Sequence, residues 1–378
     1  MRIFIKMRYC ELTELLRACL VLCLLFTSVT VLAFTVDQID ASLGTEVIVF
    51  NQDGISSEQE YQSNLSIFFQ SDFLWRWNQN SDTLSFVPYL RIDQQDHARS
   101  HSDIRELLWT HLHSDWYLKV GLGKVFWGVT EFNHLVDVIN QTDLIESIDG
   151  EEKLGQPMIN LSMTKHWGVL DLYVLTGFRE RTFPGKEGRL RAQVTVDPDR
   201  VHYESTDGDQ HIDFAVRWSD TFRYFDLGAY IFDGTNREPL FDIKPTSYPA
   251  QNVDYVAIAN YLQMMQFGVD FQGVVNNWLF KLEALWRETI QNQYTAAQLG
   301  IEYTLYNALG RQADLGILLE YGWDERGIES SSIIQNDLFI GGRVTLNDFE
   351  SSSLADKLLR KMNVLKTNSI FIRKKLLR

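Results

Sequence analysis

One feature of this 378-residue chain limits its fold more than any other: side chains alternate between apolar and polar with a period of two, segment after segment. In 65–77, Leu65, Ile67, Phe69, Phe73, Trp75 and Trp77 fall on one face, and Ser66, Gln70, Asp72 and Arg76 on the other. From Trp278 the apolar set is Trp278, Phe280, Leu282, Ala284 and Trp286, opposite Lys281, Glu283 and Arg287. Leu315, Ile317, Leu319, Tyr321 and Trp323 stand opposite Asp314, Glu320 and Asp324, and Ile212, Phe214, Val216 and Trp218 opposite Asp213 and Arg217. Neighbouring side chains of an extended strand point to opposite faces, so these segments predict strands with one oily and one polar face. About fourteen are expected, near 44–50, 60–77, 82–93, 102–113, 116–128, 156–166, 168–178, 210–219, 223–233, 260–272, 276–290, 294–307, 312–325 and 336–347.

The connections sharpen this. Those after even-numbered segments are tight, as at 78–81, 114–115, 167, 220–222, 273–275 and 308–311. Several of the others are long, roughly 129–155, 179–209 and 234–259, and the last two hold Pro184, Pro198, Pro239, Pro245 and Pro249. A soluble sandwich has no reason to keep every second turn short, whereas an outer-membrane barrel has short periplasmic turns and long outer loops. Trp75, Trp77, Trp127, Trp218, Trp278, Trp286 and Trp323 sit near strand ends, as interface girdles do. Lipid offers no hydrogen bonds, so a spanning sheet must pair its backbone groups internally, with its oily face toward lipid and its polar face toward water. The expected fold is therefore all-β, a transmembrane antiparallel barrel of 14–16 strands, with a bulge or bend at Pro88, which lacks a donor.

Residues 1–33 read separately. Arg2, Lys6, Arg8 and Arg17 precede the apolar run from Ala18, which ends in Val31-Leu32-Ala33, the pattern of a secretory signal cut after Ala33. A membrane anchor is the alternative. Cys10, Cys19 and Cys23 all lie here, so the exported chain has no disulfide, thiolate metal site or cysteine nucleophile. The whole chain carries −15 and its pI is about 5.0, which argues against a nucleic-acid binder. Residues 34–353 would form the barrel, and 354–378 a basic tail.

Chemistry-bearing residues gather in two long loops. The first, after the fifth strand, is acidic and carries Glu131, Asp137, Asp143 and Glu146. The next is basic, with Arg179, Arg181, Lys186, Arg189 and Arg191. These nine residues are expected to face each other across a pore constriction and impose a transverse field on polar solutes. The alternative is two solvated surface loops. Alternation places Asp72, Arg76, Arg217, Lys281, Glu283, Arg287, Asp314 and Glu320 toward the lumen. His97, His101, His111 and His113 lack the spacing of a metal site, Gly121-x-Gly123 opens no helix, and no nucleophile motif occurs. No cofactor and no catalytic residues are expected.

The stretches Phe126-Trp127-Gly128-Val129-Thr130-Glu131 and His134–Asp143, with Gly150–Met158, Arg179–Gly185 and Trp278–Ala284, resemble a family of porin-like outer-membrane barrel proteins, relatives of which are alginate-export-like or uncharacterised. The resemblance runs over about 60–350 and implies a barrel in the outer membrane of a Gram-negative cell, of sixteen strands. The C-terminus departs from it. Residues 354–378 carry eight basic side chains against Asp356 alone and do not alternate, which suggests an altered gene end in place of a last hairpin, the alternative being a genuine basic tail. Without that hairpin the first strand would have to pair with the fourteenth. The expected function is passage or export of small polar solutes, with lipid and lipopolysaccharide as partners. The competing readings are a non-conducting barrel, structural or surface-binding, and a soluble periplasmic β-protein.

Overall fold

The structure is a computed structural model that describes residues 36–245, 255–308, 313–327, 330, 335–346, 353–360 and 371–377, the last two stretches as backbone. The expected leader lies outside the described residues. The strands, in chain order, are β1 (Gln38–Val49), β2 (Ser63–Trp77), β3 (Asp82–Asp93), β4 (His101–Leu112), β5 (Trp116–Gly123), β6 (Gln156–Lys165), β7 (Gly168–Leu175), β8 (Thr195–Tyr203), β9 (Asp213–Phe222) and β10 (Phe225–Thr235). There follow β11 (Leu240–Pro245), β12 (Tyr255–Tyr261), β13 (Gln263–Val275), β14 (Trp278–Thr289), β15 (Gln293–Asn307), β16 (Ala313–Asp324), β17 (Asn336–Leu346), β18 (Ser353–Arg360) and β19 (Phe371–Leu377).

Sixteen of them form one sheet, antiparallel throughout, in the order β1–β7, β9, β10, β13–β19. All fourteen segments expected from alternation are strands of this sheet. Two more come from the basic C-terminal stretch, where β17 pairs with β18 and β18 with β19. Alternation could not show them, because an edge strand recruits its neighbour through backbone groups whatever the side chains are. The fourteenth strand thus continues the sheet instead of returning to the first; among the described residues no pairing joins β1 to β19. β8, β11 and β12 make a separate small sheet in which two long loops are stitched together, β12 pairing parallel to β8. Pro198 and the run Asp197-Pro198-Asp199 hide β8 from any pattern of alternation.

The tight turns follow from local chemistry. Asn276, Arg223 and the run Asn78, Gln79, Asn80 all have positive φ. This is the left-handed conformation that short hairpin turns require, and asparagine tolerates it best after glycine. Pro88 sits at the expected irregularity. Pairing of β3 with β4 steps from Val87–Glu106 to Pro88–Ile104, leaving Arg105 as an extra residue. That extra residue inverts the alternation of β4, so that Ile104 and Leu107 are both outward and exposed although an odd number of positions separates them.

Burial is inside-out relative to a soluble protein. Outward Ile92, Phe214 and Phe222 are 62%, 52% and 61% exposed, whereas inward Gln266, Glu283, Gln298 and Glu320 are fully buried. Among the described residues no helix is long and apolar enough to cross a membrane. The strands present a continuous oily exterior instead. Rings cluster near the outward strand ends, Trp278 against Tyr303 at 4.6 Å toward the tight turns and Phe267 against Trp286 at 5.5 Å toward the long loops.

Candidate functional site, a loop drawn into the barrel

Residues 124–155, between β5 and β6, do not stand out from the sheet. They fold inward and touch both flanks of the strand order, so the sheet wraps around them. Ordering a chain segment costs ~1–2 kcal/mol per residue, so a loop of this length stays docked only through dense anchoring. At its base Asn140 accepts from the Val125 N–H at 2.8 Å and donates to the carbonyls of Gly123 (2.9 Å) and Leu154 (2.8 Å).

The tip docks on the far wall. Glu283 of β14 accepts from the Val129 and Thr130 N–H groups (2.7 and 2.9 Å), the Thr130 hydroxyl (2.7 Å) and the Val136 N–H (3.2 Å). Glu320 of β16 accepts from the Glu131 and Phe132 N–H groups (2.8 and 3.1 Å) and from Gln298 of β15 (2.7 Å). Lys281 and Arg343 grip Glu131 at 2.9 and 3.2 Å, and Phe132 stacks on Phe339 at 4.6 Å. Gly128 makes the approach possible: its positive φ is a conformation other residues resist, and a Cβ there would lie 3.1 Å from Glu283 Oε1.

The other flank holds the far end of the loop. Glu146 accepts from Arg91 of β3 through Nε (3.0 Å) and Nη2 (2.9 Å) and from the Tyr89 hydroxyl (2.7 Å), with Arg105 at 3.3 Å and His101 at 3.5 Å. Arg91 and Arg99 share Glu46 of β1, at 2.8 and 2.7 Å, and Arg99 donates to the Ile145 carbonyl. Between the two ends, Arg237 donates twice to the Ile139 carbonyl (3.1 and 3.0 Å) and pairs with Asp213 of β9 at 2.6 Å. Around this line Trp127, Val136, Val138 and Ile139 pack on inward Met158, Tyr173, Leu175, Tyr230, Phe232 and Met264.

The nine residues expected at a constriction are all in these loops or their contacts, but the acidic and basic stretches touch instead of facing across a gap. Thr182 donates to Asp143 at 2.6 Å, and Arg181 to Gln141 at 3.1 Å and to the Arg237 carbonyl at 2.8 Å. Arg179 binds Asp103 at 2.8 Å, and Arg189 binds the Tyr61 carbonyl at 2.6 Å with its guanidinium 4.5 Å from the Phe50 ring. Arg191 bonds carbonyls of its own loop, Lys186 lies 4.0 Å from Glu58, and Asp137 pairs with Lys153 at 3.2 Å. The eight residues expected on the lumen side share the inward parity. Asp72 and Arg76 are exposed there, Asp314 accepts from the Asn307 N–H (2.8 Å), and Arg217 makes two bonds to Asp270 (2.7 and 2.9 Å). Lys281, Glu283, Arg287 and Glu320 are instead buried under the inward loop. Sequence reasoning missed Glu46, Arg91, Asp213 and Arg237 as anchors; the first three follow strand parity, while nothing local marks Arg237.

Electrostatics in the loops follow from enclosure. Burial pushes the Asp137 and Asp143 carboxyls up, and Lys153 and Thr182 offset it only in part. His134 moves the other way from its own burial penalty, because its bond to Glu151 favours the charged ring. Burial would also raise Glu146, but hydrogen bonds from Arg91 and Tyr89 and the charges of Arg91 and Arg105 hold it below the usual carboxylate range. A group depressed on folding contributes its full stabilisation above its unfolded value (~4.3) and loses it as pH falls through the folded one. The urea midpoint is therefore expected to fall on acidification below about pH 4, and Glu146→Gln to remove part of that fall. An unchanged acid slope in the variant would contradict the anchor.

Between loop and wall lies a cavity of about 500 Å³, edged by Arg181, Glu238, Arg287, Tyr294, Asp324 and Arg326 among others. Among the described residues no cluster of histidine and carboxylate groups could hold a metal ion.

No family model matches the chain, and no curated protein does. Solved outer-membrane proteins are similar in fold. OmpT, an outer membrane protein of Vibrio cholerae, aligns with TM-score 0.45 and 9% identity over 91% of this chain and 95% of that one. OccK3 of Pseudomonas aeruginosa aligns with TM-score 0.42 and 10% identity over 91% and 95%. The outer membrane channel DcaP of Acinetobacter baumannii does so with TM-score 0.42 and 9% identity over 85% and 90%. By its own strand order, inverted burial and alternating turn lengths, the chain has the architecture of a porin-like outer-membrane β-barrel.

Proposed function

We propose that the protein is an outer-membrane channel for small polar solutes, exported by a leader ending at Ala33, with its oily band in contact with lipid and lipopolysaccharide. The observation that carries this reading is the polar interior narrowed by an inward loop: a purely structural barrel needs neither charged walls nor a loop held by carboxylates on two flanks. One observation favours the alternative, a barrel that does not conduct: Trp127, Val138 and Ile139 fill one side of the lumen with an apolar cluster. Single-channel recording of detergent-purified, heat-modifiable protein in a planar bilayer separates them. Discrete steps of small conductance that grow with salt concentration are expected. Silent bilayers from correctly folded protein would leave the non-conducting barrel.

A further inference from the structure

The cavity above the inward loop is lined by charged side chains, most of them in pairs. Four of its cations have a carboxylate at ion-pair distance: Arg237 with Asp213 (2.6 Å), Arg287 with Glu238 (3.2 Å), Arg326 with Asp324 (2.7 Å) and Lys153 with Asp137 (3.2 Å). Arg181 differs. Its two hydrogen bonds go to neutral oxygens, Gln141 Oε1 and the Arg237 carbonyl, and among the described residues no carboxylate lies within 4.0 Å of it. Neutral acceptors satisfy N–H geometry but not charge, and a poorly hydrated cation without a counter-ion is costly.

The nearby Glu238 does not close the gap, since it already serves Arg287; burial alone would raise its carboxyl, yet Arg287, Arg181 and Arg326 together hold it low. Burial in turn pulls Arg181 below its ordinary value, with Glu238 only partly opposing. The wall also carries Asp149 and Glu151, the latter 3.6 Å from His134, so what sets Arg181 apart is that among the described residues its guanidinium has no carboxylate at ion-pair distance. Below it the lining turns apolar, where Leu135 packs on Leu285, Tyr294 and Ala296. A volume of about 500 Å³ is that of a small-molecule site.

We propose that this cavity binds small amphipathic monocarboxylates, the carboxylate on the Arg181 guanidinium and the apolar body against Leu285 and Tyr294. A neutral solute would leave the Arg181 guanidinium without an opposite charge. This assignment rests on the reading of the barrel as a solute channel.

Titration calorimetry of the full-length protein in detergent, with hexanoate and hexanamide as probes, tests it. Hexanoate is expected to bind at least about tenfold more tightly than the amide. Arg181→Gln should erase that preference, while Arg181→Lys, which keeps the charge, should retain part of it. In planar bilayers hexanoate should reduce the current of the native protein and leave that of Arg181→Gln unchanged. Equal binding of the two probes by the native protein, or a preference that survives Arg181→Gln, would overturn the site and leave the channel standing. Selective binding without any current would uphold the site and overturn the channel.

Discussion

Replacing both Glu283 and Glu320 by glutamine should free the loop tip and raise single-channel conductance several-fold. Together the two carboxylates accept six bonds from the loop, five of them from backbone N–H groups. Bonds to a charged acceptor contribute ~1.5–3 kcal/mol each, against ~0.5–1.5 for neutral pairs. An amide also turns an NH₂ toward donors that have nothing to accept it. The remaining grip of Lys281 and Arg343 on Glu131 is two ion pairs, one of them to a partly exposed arginine. Release would also unpack Lys153 from Asp137, so that trypsin added to folded protein should cleave after Lys153 in the double variant and not in the native chain. Unchanged conductance together with resistance to trypsin would mean that the tip is held by packing alone.

Arg237→Ala is expected to give the largest loss of stability from a single substitution. Asp213 is fully buried, and Arg237 is its ion-pair partner at 2.6 Å; the same guanidinium donates twice to Ile139 in the centre of the loop. Leaving one charge of a buried pair behind costs about 3–5 kcal/mol, whereas exchanging both partners for apolar groups of similar size is often neutral. Urea unfolding in lipid vesicles should therefore show a large drop in midpoint for Arg237→Ala, and a much smaller one for Arg237→Met combined with Asp213→Leu. Equal losses in the two would show that the hydrogen bonds to Ile139, and not the ion pair, set the cost.

What could be read from the chain and what could not divide along one physical line. Strand positions, facing and the irregularity at Pro88 were legible because lipid outside and water inside impose a residue-by-residue contrast on every spanning segment. Glu283 and Glu320 were placed on the correct face by parity. Their task was not legible: a carboxylate lining water and one clamping a loop have the same periodicity, and only the fold brings Thr130 to Glu283 across 153 positions. The acidic and basic loops are a recognisable pair in the sequence, yet they meet through neutral partners, Thr182 on Asp143 and Arg181 on Gln141, while Arg189 and Arg191 strut to carbonyls. Arg237, β8, β11 and β12 lie in loops, where no alternating solvent writes a pattern.

The small sheet that joins β8 to β12 has a consequence for any binder that grips these loops. Val201, His202 and Tyr203 are in register with Ala259, Asn260 and Tyr261; Ala259 and Tyr261 are buried, while exposed His202 lies beside half-buried Asn260, so this patch is assembled from two stretches far apart in the chain. An antibody raised against the folded protein that grips this patch would read a composite epitope. Serum raised against either synthetic peptide alone would miss it.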